Sequence, residues 1–69
     1  MHKLSDACFE AARHVQALAD ALYAEHVEAV ADKSTTAERR AVSWMLYQEA
    51  EQAASAARRL YVRLSRNVQ

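Results

Sequence analysis

Apolar residues recur along the first half of the chain at alternating spacings of four and three residues. The series is Leu4, Cys8, Ala11, Val15, Leu18, Leu22 and Ala29, interrupted by Glu25 and widened by Ala12, Ala19, Tyr23, His26 and Val30. This spacing keeps side chains on one face of an α-helix. Ser5 fits the N-cap position, with Leu4 and Phe9 placed to form a hydrophobic staple. We therefore predict a first helix over about 5–32.

The pattern stops at residues 32–36, where short hydroxylated side chains compete for backbone hydrogen bonds. Thr35 and Glu38 have the spacing of a capping box, which marks the start of a second helix. Its apolar series is Val42, Leu46, Ala50, Ala53, Ala57, Leu60 and Leu64. The sequence predicts a second helix over about 36–66.

Two helices of similar length joined by a few residues predict an antiparallel hairpin, which forms a single domain over 1–69. Pairing about the break places residue i opposite roughly 69 − i. The expected cross-helix ion pairs are Glu10 with Arg59, Asp6 with Arg63, and Glu28 with Arg40. These pairs would explain why residues 1–33 carry a net charge of −3 and residues 34–69 a net charge of +3.

The composition narrows the fold class and implies a thin core. The chain has no glycine and no proline, so it lacks the residues that tight turns and phosphate-binding loops need. Sixteen of its apolar residues are alanines, which contribute little burial. Chains below ~70 to 80 residues usually need a disulfide, a bound metal or a partner subunit to be stable. We expect an all-α fold, with the hairpin dimerising into a four-helix bundle.

Charge and cysteine content bear on partners and compartment. Nine basic and nine acidic residues cancel, which argues against a chain-wide nucleic-acid or membrane-surface binder. The single Cys8 cannot form an internal disulfide, and no apolar run reaches the length of a signal peptide or a membrane span. We expect a cytoplasmic protein without a membrane partner.

No residue pattern predicts catalysis, a metal site or a cofactor. His2, His14 and His26 are twelve residues apart rather than the three or four that place two ligands on one helical face. No glycine-flanked serine could form a nucleophile elbow. We expect a non-enzymatic protein, in which His26 is a core or interface histidine with a hydrogen-bond partner.

Trp44 is the apolar side chain that the helical pattern explains least. It lies about 160° from the core stripe of the second helix, so a lone hairpin would leave it in water. Exposed apolar groups of this kind mark interfaces, where Trp, Tyr and Arg are enriched. The predicted partner interface comprises Arg40, Trp44, Tyr47, Gln48 and Glu51. The alternative is that Trp44 packs inside the homodimer.

A second hypothesis is a small RNA- or DNA-binding bundle. Arg58, Arg59, Arg63 and Arg66 follow one another with no acidic residue after Glu51. Of these, Arg59, Arg63 and Arg66 would contact phosphates. Ion pairing with Asp6 and Glu10 is the favoured explanation of the same arginines. Asp20, Glu25 and Glu28 could conversely mimic DNA phosphates, or form an ordinary solvated face.

The chain also resembles a known kind of protein over its whole length. The opening MHKLSDACFEAARHVQALADAL and the segment STTAERRAVSWMLYQEAEQAA are similar to the small quorum-sensing anti-activators of temperate Pseudomonas phages. The resemblance implies a phage protein of the host bacterial cytoplasm that binds a LuxR-type transcriptional activator and blocks its DNA binding. It also implies inhibition of the type IV pilus assembly ATPase, and it assigns no residue roles.

Overall fold

The computed structural model describes residues 2–67 and contains two α-helices. Helix α1 spans His2–Ala31 and helix α2 spans Ala37–Asn67. They pack against each other in a rod with Cα extents of 53 × 13 × 11 Å. The predicted all-α hairpin is confirmed. Met1, Val68 and Gln69, which the predicted domain includes, lie outside the described residues.

The predicted cap at the start of the first helix is wrong. Ser5 lies inside α1, which already includes His2, so its hydroxyl is not the N-cap and Leu4 and Phe9 are not a staple at the helix start. Capping by serine is a preference worth about 1 kcal/mol. The preceding Lys3 and Leu4 are themselves good helix formers, and no glycine or proline stops the helix before Ser5.

The turn between the helices is held by hydrogen bonds to Asp32 and Thr36. The Asp32 carboxylate accepts from the backbone N–H of Ser34 at 2.9 Å and from its hydroxyl at 2.7 Å. Thr36 Oγ1 accepts from the N–H of Arg39 at 3.1 Å, and the Thr36 carbonyl accepts from the N–H of Arg40. Thr36 is therefore the N-cap of α2, one residue after the predicted Thr35, and the predicted capping box does not form because the third residue after Thr36 is Arg39 rather than a glutamate or glutamine.

The hydrogen bonds of the turn lead to a testable prediction about the pKa of Asp32. The hydroxyl and then the backbone N–H of Ser34 hold the pKa of the Asp32 carboxyl below its usual range. Its stabilising effect is therefore complete above the unfolded-state pKa and is lost as the pH falls through the lowered folded-state pKa. We expect Ser34→Ala to raise the Asp32 pKa, as measured by carboxyl-carbon NMR titration. Ser55→Ala, which leaves the turn intact, should not; equal pKa values in both variants would contradict this assignment.

Aromatic contacts across the hairpin define the register of the two helices. Ring centroids are 5.5 Å apart between Phe9 and Tyr61 and 5.1 Å apart between Tyr23 and Tyr47. His26 lies opposite Ser43, with a hydrogen bond of 2.8 Å. The residue numbers of these pairs add to 70, 70 and 69. The predicted pairing of residue i with 69 − i is confirmed to within one residue.

Small side chains form the centre of the helix–helix contact, which we call the seam. The buried hydrophobic residues of the described chain are Ala12, Ala19, Ala50 and Ala54. Half-buried residues at heptad spacing continue the seam: Cys8, Val15, Leu22, His26 and Ala29 on α1, and Ser43, Tyr47, Ala57, Tyr61 and Leu64 on α2. A fully covered alanine requires the opposite backbone to lie close, so the seam is a close approach between helices.

The predicted core stripe of the second helix is partly wrong. Ala50, Ala57 and Leu64 lie in the seam, but the larger Val42, Leu46 and Leu60 remain 46%, 47% and 52% exposed. The same holds on α1, where Leu4, Ala11 and Leu18 are exposed. Both helices have a wide apolar arc, and the helices meet along its small-residue column rather than along its leucines. The leucine column is left uncovered.

The predicted cross-helix ion pairs do not form. Among residues 3–66, the ion pairs are Arg13 with Glu10 at 3.4 Å and Arg58 with Glu51 at 3.9 Å, each within one helix. Arg58 instead crosses the seam to donate to the Gln16 side chain. Glu10 and Arg59 both lie on the outer surfaces of their helices by the heptad pattern, too far from the seam to meet.

The hairpin exposes more surface than a compact protein of the same mass. Its accessible area is 5482 Å², whereas a compact protein of 7.8 kDa exposes ~4400 Å², so the excess is about 1100 Å². The uncovered side chains form two groups on opposite flanks of the seam. The aliphatic side contains Leu4, Leu18, Val42, Leu46 and Leu60. The aromatic side contains the exposed Phe9, Tyr23 and Trp44, together with the half-buried seam residues Tyr47 and Tyr61 beside them.

Candidate partner-binding site

Four of the five predicted interface residues lie together on the aromatic side. Trp44, Tyr47, Gln48 and Glu51 line one shallow depression, which Gln52 and Ser55 complete; we call it the Trp44 groove. Arg40 does not line it. Its guanidinium reaches back to the turn, where Nη2 donates to the Asp32 carbonyl at 3.4 Å. Arg40 therefore belongs to the turn rather than to the groove.

Trp44 lies nearer the partner helix than the sequence predicted. Its indole ring is 5.1 Å from the His26 ring of α1 and 5.4 Å from the Tyr47 ring, measured between centroids. The predicted outward position was wrong because the seam of α2 runs through Ser43 and Tyr47 rather than through Val42 and Leu46. Trp44 remains 41% exposed. It is fixed on one face and open to solvent on the other.

His26 has the hydrogen-bond partner that the sequence predicted, and a chain of hydrogen bonds fixes its ring. The Ser43 hydroxyl donates to the Arg40 carbonyl at 2.9 Å. The 2.8 Å contact between Ser43 Oγ and His26 Nδ1 links the imidazole to the same hydroxyl, and it is satisfied together with the Arg40 contact by the tautomer that carries a proton on Nδ1. This chain of hydrogen bonds orients the imidazole against Trp44.

Tyr23 is a site residue that the sequence reasoning did not identify. Its ring lies 5.1 Å from Tyr47 at an interplanar angle of 56°, within the range of favourable aromatic contacts. Tyr23, Tyr47, Trp44 and His26 thus form one aromatic cluster that bridges the helices and borders the Trp44 groove. Applying the 69 − i pairing to the aromatic residues would have found it to within one residue, because the rule places Tyr23 next to Tyr47.

The fold separates charge along the rod more strongly than the sequence halves do. The open end, residues 3–17 and 53–66, carries six basic and two acidic residues, a net charge of +4. The loop end, residues 18–52, carries seven acidic and three basic residues, a net charge of −4. Asp20, Glu25 and Glu28 all lie in this acidic half, as do the groove residues from Trp44 to Gln52. Such separated fields favour oppositely charged partners at the two ends.

The alternative nucleic-acid residues lie at the open end. Arg59 and Arg63 line a second depression with Ala56 and Leu60, and Arg66 is exposed one turn further along α2. Arg58 is not part of this set, because its side chain turns toward Gln16 and Glu51. The three predicted arginines therefore share one end of the rod, and the depression that Arg59 and Arg63 line has no aromatic side chain.

The site contains no metal-ligand set within the part of the chain that the structure describes. No group of three or more histidine, cysteine, aspartate or glutamate residues there could hold an ion, and Cys8 is a half-buried free thiol. Neither α1 nor α2, as described, is long and apolar enough to cross a membrane.

The fold and site together define a helical hairpin with two uncovered apolar sides. Comparison with known proteins adds no relative: no protein-family model, no curated protein and no solved structure matches the chain.

Proposed function

We propose that the chain is a non-enzymatic inhibitor that acts by binding another protein through its aromatic side. The observation that carries this proposal is the half-covered indole of Trp44, held against His26 and Tyr47 beside an open groove. An exposed, rigidly held tryptophan offers a large contact area at little cost in side-chain entropy. Its position beside Gln48 and Glu51 supplies polar groups at the rim of the contact.

The resemblance to phage anti-activators supplies the proposed partner. The target is a LuxR-type transcriptional activator, whose DNA binding the chain blocks, and the pilus assembly ATPase is a second target in the same cytoplasm. The net charge of −4 on the loop end, residues 18–52, supports the first target, because a DNA-binding surface is basic. Steric cover of ~800 Å² per partner, the size of a standard interface, suffices for inhibition.

The proposed active form is a homodimer, with the aliphatic side as its interface. An excess of about 1100 Å² over a compact monomer exceeds the ~800 Å² that each partner covers in a standard interface. Two hairpins joined along Leu18, Leu46 and Leu60 form a four-helix bundle. The aromatic side then remains free on each hairpin for the target protein.

A nucleic-acid-binding bundle is the second candidate, supported by the net charge of +4 at the open end. Arg59, Arg63 and Arg66 would then contact phosphates. Such contacts release counterions, so affinity would fall steeply with salt. This candidate is the weaker one because the depression that Arg59 and Arg63 line has no aromatic side chain, whereas single-stranded nucleic acids are bound largely by stacking.

One assay separates the two candidates. We expect the purified chain to abolish operator binding by a LuxR-type activator loaded with its acyl-homoserine lactone, measured by fluorescence anisotropy of labelled operator DNA. The chain alone should leave the anisotropy of that DNA unchanged at low salt. If the chain itself binds the DNA and salt removes this binding, the nucleic-acid reading replaces the proposal. Undiminished operator binding by the activator would refute the proposed target.

A further inference from the structure

We propose a second docking point on the aromatic side: a slot at the open end that takes a bulky apolar side chain from an acidic segment of a partner protein. The inference rests on the proposed function as a protein-binding module, but it concerns other residues than the Trp44 groove. The slot is lined by Phe9, Ala12, Arg13, Gln16, Arg58, Tyr61 and Val62.

The floor and walls of the slot are apolar. Ala12, which is 8% exposed, forms the floor between the helices. Phe9 and Tyr61 meet there at 5.5 Å with an interplanar angle of 56°. Phe9 and Val62 remain 49% and 45% exposed, although both lie beside the seam. An apolar side chain inserted here would cover them and gain contacts on several sides.

Two guanidinium groups flank this apolar floor from opposite helices. Arg13 lies on α1 and Arg58 on α2. Arg13 pairs with the exposed carboxylate of Glu10 at 3.4 Å, and Arg58 pairs with that of Glu51 at 3.9 Å and also donates to the Gln16 side chain. Ion pairs of this kind contribute ~0–1 kcal/mol, so a carboxylate of a partner can replace them with little loss. The slot therefore combines an apolar centre with a cationic rim.

The net charge around the slot indicates that the partner segment is acidic. The slot lies within the open end, which has a net charge of +4, whereas all of the Trp44 groove except Ser55 lies within the loop end, which has a net charge of −4. Complementary potentials accelerate encounter and suppress wrong partners. The slot thus fits a segment with carboxylates on both sides of an aromatic or aliphatic residue. Its surroundings are opposite in charge to those of the groove.

Peptide titrations followed by NMR test the slot directly. The probe is acetyl-Glu-Glu-Phe-Leu-Glu-Glu-amide, and the control is the same peptide with lysine in place of each glutamate. We expect the acidic peptide to give saturable amide shifts at Phe9, Ala12, Tyr61 and Val62 of the labelled full chain. The basic peptide should leave these four signals in place. Equal shifts with both peptides, or no shift with either, would overturn the proposal.

A matched pair of variants tests the cationic rim. Arg58→Gln should weaken binding of the acidic peptide by up to about fivefold, the upper range for an exposed ion pair. Arg59→Gln removes the same charge from the next residue, which faces Ser55 and the other depression, and should leave the affinity unchanged. If both variants weakened peptide binding equally, the effect would reflect nonspecific electrostatic attraction, and the slot would be excluded as a binding site.

The outcome for the slot is independent of the outcome for the proposed function. Trp44→Ala should retain peptide binding at the slot, because Trp44 does not line it. A chain that binds the acidic peptide but leaves the activator on its operator would retain the slot and lose the proposed target. A chain that inhibits the activator but shows no amide shifts at the slot would retain the proposed target and lose the slot. A hexanucleotide that shifts the slot signals more strongly than the acidic peptide would overturn the protein-segment assignment.

Discussion

Leu46→Glu is expected to convert the protein from a dimer to a monomer. Leu46 is 47% exposed in the hairpin, so a glutamate there would stay hydrated in a single chain. In the proposed dimer the same carboxylate would be buried against the partner's aliphatic side, at a cost of several kcal/mol. Light scattering after gel filtration should give twice the chain mass of 7.8 kDa for the unmodified protein and the single mass for the variant.

Met45→Glu is the matched control for this experiment. Met45 is 55% exposed and adjacent to Leu46, but the heptad pattern places it on the outer surface of α2. The control should stay dimeric, and its melting temperature should depend on protein concentration, as for any stability coupled to association. Monomeric unmodified protein would refute the dimer; a dimer that survives Leu46→Glu but not Met45→Glu would place the interface on the outer face of α2.

The helices and their register were predictable because they depend on regular features of the sequence. The 3.6-residue periodicity defines both helices, and the break at residues 32–36 fixes where the chain reverses. Once the reversal point is known, geometry alone determines which residues lie opposite each other. The contacts of Phe9 with Tyr61 and of His26 with Ser43 follow from that rule.

The face along which the helices meet was less predictable. Each helix has two adjacent columns of apolar residues, one rich in leucine and one rich in alanine. Hydrophobicity favours the leucines, whereas close approach of two helix backbones requires small side chains such as Ala19 and Ala54. A scale that scores each residue separately cannot weigh these two effects, because close approach is a property of the pair.

The helices meet along the alanine column instead of the leucine column, and this one difference accounts for most of the errors in the predicted site. A seam through Ser43 and Tyr47 brings Trp44 to the margin of the helix contact instead of the outer surface. It also turns Tyr23 into a neighbour of Tyr47. The groove residues Gln48 and Glu51 stayed with Trp44 because they share its helix, and their relative positions do not depend on which face meets α1. Arg40 was lost from the site because its side chain turns back to Asp32.

Trp44→Ala is expected to weaken binding of the target protein by more than about 30-fold, the loss of ~2 kcal/mol or more that defines a hot spot. The truncation removes the largest apolar side chain of the groove, so that only the remaining groove residues, such as Tyr47 and Glu51, can contact the target. The hairpin itself should lose about 1 kcal/mol of stability, because contacts of the indole with His26 and Tyr47 disappear. Titration calorimetry with the purified activator measures the first effect, and thermal unfolding measures the second.

Met45→Ala and Trp44→Phe make this result specific to the groove. Met45 is more exposed than Trp44 but does not line the groove, so its truncation should leave binding intact. A phenyl ring at position 44 should keep part of the contact with His26 and part of the affinity. If Trp44→Ala instead became monomeric, the indole would belong to the homodimer, as the second reading of the sequence held. Unchanged binding in a folded, dimeric Trp44→Ala would exclude the groove as the docking surface.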